Sequence, residues 1–240
     1  MNGAGVVVAL VAEARTLGHA VRRRDGLWSL GGGALLSVGG MGSELAAIAA
    51  RSLAEAGAAG LVSFGLAGGL DPSLPAGSIV LPREVISCDG TRFPATAAWR
   101  EPLSAAIARH RPVAAGALLT SPVSIAAVAD KAAAFRETRA VAVDMESSGV
   151  AEVAAARGLP FIAVRVIVDT AADALPRAVQ AAGRAGHLNT PRLIVGLAST
   201  PLDLFALIGL ARRYRAAIRS LSWVADAGLL TPVSAGTGVE

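Results

Sequence analysis

Short β-branched or wholly apolar runs alternate along this chain with Ala-rich stretches whose apolar positions recur at helical spacing. Runs of the first kind suit strands buried on both faces, and the second kind suit helices that lay one face on a sheet. The alternation therefore predicts an α/β fold, three layers deep, with helices on both sides of a central mixed, mostly parallel sheet. Strands are predicted over 5–11, 35–38, 61–64, 78–81, 116–119, 141–143 and 161–168. Helices are predicted over 43–55, ending at Gly57, over 124–136, with Ser124 in N-cap position, and over 145–157, stopped by Gly158-Leu159-Pro160. The Gly/Pro-rich stretch 65–77 joins one strand to the next and reads as a shaped loop.

Beyond Asp169 the texture changes. Residues 170–191 are rich in Ala, Gly and Pro and read as an irregular loop. An apolar segment follows, in which Leu202, Phe205, Ile208, Leu210, Tyr214, Ile218 and Leu221 recur at near-helical spacing while Arg212, Arg213, Arg215 and Arg219 crowd one end. Three readings of it stay open: a helix packed on the core, a lid over an apolar substrate, or an interfacial helix at a membrane surface. One domain is expected over 1–225, with 187–225 as its divergent helical C-terminal segment and 226–240 as a flexible tail.

Composition narrows the classes. A chain of 240 residues, 53% hydrophobic and 17% charged, suits one well-cored domain. The net charge of +4 is spread along the chain with no block of like charges, which argues against a nucleic-acid partner while permitting an anionic surface. The single Cys88 excludes an internal disulfide, and His19, His110 and His187 are too scattered for a zinc site. A reduced, cytoplasmic protein without metal or cofactor is expected. The apolar run 6–12 has no basic residue before it and reads as a buried first strand, not a signal peptide. The nearest approach to a membrane span, 193–210, is interrupted by Pro201 and Asp203.

Ligands of parallel sheets bind beyond the carboxyl ends of the strands, so polar residues there are the candidates for chemistry. Glu13 follows the first strand, Gly39-Gly40-Met41-Gly42-Ser43 opens a helix, and Gly65-Leu66-Ala67-Gly68-Gly69 follows Phe64. Asp144-Met145-Glu146 sits at a strand-to-helix junction, and Asp169 ends the strand that contains Arg165. A buried, unpaired guanidinium is costly, so Arg165 needs a carboxylate, with Asp169 or Glu146 as the expected partner. Period two predicts that Arg165 and Asp169 point the same way. Asp144 reads as a helix N-cap, and Glu146 as a first-turn dipole partner or a ligand-binding acid. Free N–H groups around Gly42 and Ser43 suit an anion or a hydroxyl. GxGxxG, GxxxxGK[ST] and GxSxG are all absent, which disfavours dinucleotide, P-loop and serine-hydrolase chemistry. Several carboxylates with glycine backbone walls suit cleavage of a glycosidic bond.

These motifs occur in one order: Val-Ala-Leu-(x2)-Glu13, Gly40-Met-Gly, the run from Ser63 to Val80, Val143-Asp-Met-Glu-Ser, and Leu159 through Arg165 to Asp169. Over residues 5–172 this order resembles the purine nucleoside phosphorylase and nucleosidase superfamily, and is most similar to methylthioadenosine/S-adenosylhomocysteine nucleosidases. The resemblance implies a nucleoside phosphorylase-like fold in a homo-oligomer acting on a small-molecule nucleoside. It implies that Asp169 is the general acid protonating the purine at N7, and that Glu13 activates the attacking water. It implies further that Glu146 holds ribose hydroxyls, that Met145 packs beneath the sugar and that Arg165 orients the carboxylates. Ala67 and Gly68 would line the purine pocket, with the Ile125 backbone reading the base edge. Leu66 departs from the family's serine, and Ser124 from the aromatic residue that stacks on the base. With the divergent C-terminus, the chain resembles the hopanoid-associated phosphorylase branch, whose implied substrate is adenosylhopane, a lipid-linked nucleoside at a membrane surface. Hydrolysis is favoured slightly over phosphorolysis because Glu13 is present. Methylthioadenosine or S-adenosylhomocysteine salvage, and a non-catalytic nucleoside- or lipid-binding module, are the alternatives.

Overall fold

The computed structural model describes residues 3–175 and 201–230, with backbone alone for 201–208 and 210. In chain order the strands are β1 (Gly5–Val8), β2 (Val21–Arg22), β3 (Trp28–Ser29), β4 (Leu35–Val38), β5 (Leu61–Gly69), β6 (Ile79–Val80), β7 (Glu84–Ile86), β8 (Arg92–Pro94), β9 (Val113–Ala114), β10 (Ala117–Thr120), β11 (Ala140–Asp144) and β12 (Phe161–Asp169). The helices are α1 (Val11–Ala14), α2 (Ser43–Glu55), α3 (Ala97–Ala108), α4 (Val128–Thr138), α5 (Ser147–Arg157) and α6 (Pro201–Asp226).

The described strands form one mixed sheet, and its centre is where the site lies. β1 pairs in parallel with β4 and with the first half of β5, and β12 runs parallel to β5 along its length. The second half of β5, which the sequence predicts to be loop, stays extended through Gly69 and pairs antiparallel with β11. β5 is thus a fork, carrying β1 on its early residues and β11 on its late ones.

Alternation along buried strands divides the core into two layers. Val7, Leu61, Ala163 and Ile167 pack with α2 and α5, whereas Val6, Val8, Val62, Ile162 and Val164 pack with α3 and α6. The three-layer mixed α/β arrangement is the predicted one. The α2–α5 contact is close because Gly149 has no side chain: a Cβ there would strike the Ser43 carbonyl. Helix α3 is absent from the predicted elements, although Trp99, Leu103 and Ile107 recur on one buried face. Pro102 interrupts the sequence signal without ending the helix.

The described part of the C-terminal segment is the helix α6, which begins at Pro201, where a proline in the first turn costs no hydrogen bond. Ala217, Leu221 and Val224 are buried on its inner face, against β12 and the turn after α1, so this part of α6 is core. Among the described residues, no helix is long and apolar enough to cross a membrane. The expected tail does not begin at 226. Leu229 is fully buried, and the Leu230 carbonyl accepts the Ala4 N–H at 3.3 Å. The remainder of that tail, and most of the expected loop over 170–191, lie outside the described residues.

Candidate active site

Glu13 lies just past the end of β1, where the chain turns into α1. Its carboxylate folds back to accept N–H donors from Ala9 at 3.0 Å, Leu10 at 2.9 Å and, across the sheet, Leu66 at 3.0 Å. Only glycine fits beside it on β5, since a Cβ on Gly65 would stand 2.5 Å from Glu13 Oε1. Burial raises the Glu13 pKa, and the Arg165 charge and the three N–H donors only partly offset that rise.

At the end of β11, with Glu146 only a distant second partner, the expected pairing of Arg165 is corrected in part. Its partner is Asp144, reached by Nε at 2.8 Å and Nη2 at 2.7 Å, while Glu146 is 4.0 Å away and Asp169 is paired elsewhere. Arg165 Nη2 also donates to Ser63 Oγ at 2.7 Å. Asp144 accepts Thr120 Oγ1 at 2.8 Å and the N–H of Ser147, the first residue of α5, at 3.2 Å. The carboxylate read as a helix cap therefore serves the helix start and neutralises the buried arginine as well. Glu146 Oε1 accepts the Gly42 N–H at 3.0 Å. Its pKa is pushed up to about 7, first by burial and then by the neighbouring Asp144 charge, against the pull of Arg165 and Gly42.

At the end of β12, strict alternation fails. Ile167 pairs with Ala67 and Asp169 with the next residue, Gly68, so Val168 is an extra residue in a bulge. Arg165 and Asp169 therefore separate, the first toward Asp144 and the second toward Lys131 of α4. Lys131 is fully buried, and its ammonium donates to Asp169 Oδ2, to the Thr170 carbonyl at 2.7 Å and to the Asp173 carbonyl at 2.9 Å. Sequence reasoning passed over this lysine, although it shares the inner helix face of Ala134. Burial raises the Asp169 pKa, and the Lys131 charge and hydrogen bond only partly offset this.

The three carboxylates Glu13, Glu146 and Asp169 border one cavity of about 190 Å³. Met145, Ala67, Gly68, Ser124 and Ile125 line it too, as do Met41 of the turn before α2 and Val168, the latter passed over by sequence reasoning. Ser124 does not cap α4, which starts at Val128; it belongs instead to the irregular stretch before it, which lines the cavity. Gly42 and Ser43, where the sequence predicts an anion or hydroxyl site, make other contacts among the described residues. The Gly42 N–H is taken by Glu146, and Ser43 lies against Gly149 and lines a separate cavity. No Lys or Arg among the described residues lines the cavity of the three carboxylates. No cluster of three or more His, Cys, Asp or Glu among them is placed to hold a metal ion.

Helix α6 reaches this end of the sheet at its middle. Arg213 pairs with Asp173 at 3.2 Å, and the Tyr214 hydroxyl has its pKa raised by burial and by the charge of Glu13. From there the helix runs on toward Pro201, while Arg212, Arg215 and Arg219 lie exposed along it.

A buried acid at a strand end, two further carboxylates across a small cavity and glycine backbone as its wall form a set able to protonate a leaving base and stabilise a cationic sugar. Solved structures with this fold include the 5′-methylthioadenosine/S-adenosylhomocysteine nucleosidase of Neisseria meningitidis in complex with methylthio-immucillin-A. It is 19% identical, with a TM-score of 0.71 over 94% of this chain and 98% of that one. The nucleosidase of Campylobacter jejuni is 16% identical, with a TM-score of 0.70 over 94% and 96%. The S-adenosylhomocysteine nucleosidase of Streptococcus pyogenes, in complex with 5-methylthiotubericidin, is 17% identical, with a TM-score of 0.65 over 91% and 95%. No curated protein matches the chain significantly by sequence. The family model of the phosphorylase superfamily matches residues 13–195. Since this match takes in the greater part of the chain and three of the strand ends that build the cavity, the protein belongs to the phosphorylase superfamily.

Proposed function

We propose that the protein cleaves the N-glycosidic bond of a 5′-substituted adenosine with release of adenine. In this reading the 5′ substituent is a lipid, and adenosylhopane becomes ribosylhopane in hopanoid side-chain biosynthesis. The observation that carries the reaction is the convergence of Glu13, Glu146 and Asp169 on one cavity.

Asp169, whose pKa burial raises, gives its proton to N7 as the C1′–N9 bond breaks, and the bonding electron pair leaves with the base as neutral adenine. Positive charge grows on the ribose, where Glu146 accepts from the hydroxyls and Met145 packs beneath the ring. Glu13 takes a proton from a water whose oxygen bonds to C1′. Exchange with solvent returns both acids to their starting states. Ala67, Gly68, Ser124 and Ile125 enclose the base, and Arg165 acts through Asp144. Water is favoured over phosphate: a phosphate anion needs several donors, the Gly42 N–H is already taken, and no described cation lines the cavity.

Support for a lipid substituent comes from α6. Its middle meets the cavity end of the sheet, and residues 201–212 continue the helix for roughly 18 Å at 1.5 Å per residue. That stretch includes Leu202, Leu204, Phe205, Leu207, Ile208 and Leu210. The exposed Arg212, Arg215 and Arg219 suit an anionic membrane surface. A second copy of the chain closes the 5′ end of the cavity in this reading, which light scattering tests through the oligomeric state.

The deciding experiment follows adenine release from adenosylhopane, methylthioadenosine and S-adenosylhomocysteine, each with and without labelled phosphate. No release from any of them defeats the proposed reaction. Label recovered in a ribose 1-phosphate product defeats water as the nucleophile, and a preference for methylthioadenosine defeats the lipid assignment.

A further inference from the structure

Lys131 has three N–H donors, and all three are used. One goes to Asp169 Oδ2 and two to carbonyls of the turn after β12, those of Thr170 and Asp173. A fully buried ammonium is costly unless paired and hydrogen-bonded, and this one is both. The two carbonyls alone would account for a lysine that merely stitches the turn to α4. They do not account for the contact with the one carboxylate of this region that borders the cavity. Asp173 offers a second carboxylate in the same turn, yet it pairs with Arg213 and with the N–H and hydroxyl of Thr170. The lysine engages Asp169 Oδ2, no hydrogen bond to Oδ1 is seen among the described residues, and Asp169 lines the cavity.

We propose that Lys131 is the positioning residue of Asp169: it fixes Oδ2, leaves Oδ1 to carry the proton, and sets a positive charge beside the carboxylate that remains after the transfer. This role rests on the reaction proposed above. In that step the Oδ1–H bond breaks, N7 gains the proton, and the negative charge left on Asp169 is met by an ammonium already in place. Such preorganised charge stabilises the transition state because it needs no rearrangement as the proton moves. The charged groups that face Asp169 are Lys131 from α4, Asp173 from the following turn and Arg213 from α6, with Glu13 and Glu146 across the cavity.

The test compares the pH dependence of kcat/KM for adenine release by the full-length wild type, Lys131→Gln and Lys131→Arg. Loss of the cation raises the Asp169 pKa, so the alkaline limb of Lys131→Gln moves to higher pH by about one unit or more. Its kcat falls by about 100-fold with KM changed by less than about threefold, while Lys131→Arg recovers part of the rate and keeps the wild-type limb. A ¹³C titration of the Asp169 carboxyl gives the same shift without turnover and serves if Lys131→Gln is too slow to assay. A limb and a carboxyl titration that match wild type in Lys131→Gln overturn the positioning role and leave the reaction standing. A wild type that releases no adenine overturns the reaction, and this role with it. If Lys131→Gln does not fold, Lys131→Arg decides alone: partial activity with an unmoved limb supports the role, and full activity with a shifted limb overturns it.

Discussion

The Asp144 carboxylate and the Arg165 guanidinium, 21 residues apart in sequence, meet through two contacts to Oδ2, at 2.8 and 2.7 Å, in the interior of the protein. Both side chains are almost fully enclosed, so removing either strands the other as an uncompensated buried charge. Asp144→Ala is expected to cost about 3–5 kcal/mol of stability. Pairing it with Arg165→Met should cost clearly less than the sum of the two single changes, because no unpaired charge remains. Urea denaturation of the four proteins measures both quantities. An Asp144→Ala protein as stable as wild type would show that the pair is idle.

Asp169→Asn keeps the shape of the side chain but carries no transferable carboxyl proton. Turnover should fall by about 10²- to 10⁴-fold, with binding of a non-cleavable nucleoside analogue changed only a few-fold. Calorimetry and an adenine-release assay on the same preparation separate the two effects. Retained turnover would remove Asp169 from the role of acid.

Gly65→Ala puts a methyl group 2.5 Å from Glu13 Oε1, closer than van der Waals contact permits. The carboxylate must move, and displacement of a catalytic group by about an ångström can cost about 100-fold in rate. Overpacking should lower stability by about 1–3 kcal/mol. A variant with the wild-type rate would mean that the position of Glu13 does not matter to the chemistry.

Glu146 binds its proton more tightly in the folded protein, with its pKa at about 7 against an ordinary 4.5. Between those values the native state holds more protons than the unfolded state, so stability falls as pH rises. This group's contribution is fully present below 4.5 and lost as pH passes about 7, at most about 3 kcal/mol in all. Glu146→Gln should flatten the decline in unfolding free energy across that window. Denaturation curves at pH 4.5, 6 and 7.5 check it, and a decline as steep in the variant as in wild type would contradict the assignment.

Leu221 is fully buried between α6 and the sheet. Leu221→Ala should destabilise the protein by about 2–5 kcal/mol if this half of α6 is core. A change under about 0.5 kcal/mol, the usual range for a surface substitution, would make the helix a loosely attached appendage instead.

Much of the site was legible in the chain because its residues sit at strand ends, and strand ends can be read from where an apolar run stops. Glu13 after the predicted strand 5–11, Glu146 after that over 141–143, and Asp169 after that over 161–168 are all read in that way. The pairings among them were not legible. Period two aligned Arg165 with Asp169, but one extra residue at Val168 parted them, and no local pattern announces a bulge. Lys131 carries no local signal of burial, because the acceptors that bury it lie about forty residues away.

The layered α/β class, the central strands and the identity of the candidate acids follow from the sequence alone, since periodicity and chain breaks are local properties. Tertiary structure decided which acid neutralises which base, that β5 continues as a strand past Phe64, and that the Gly42 N–H meets Glu146. Those outcomes depend on distances between segments remote in the chain. Burial makes such distances decisive: an enclosed charge must find its partner wherever the fold brings one within reach.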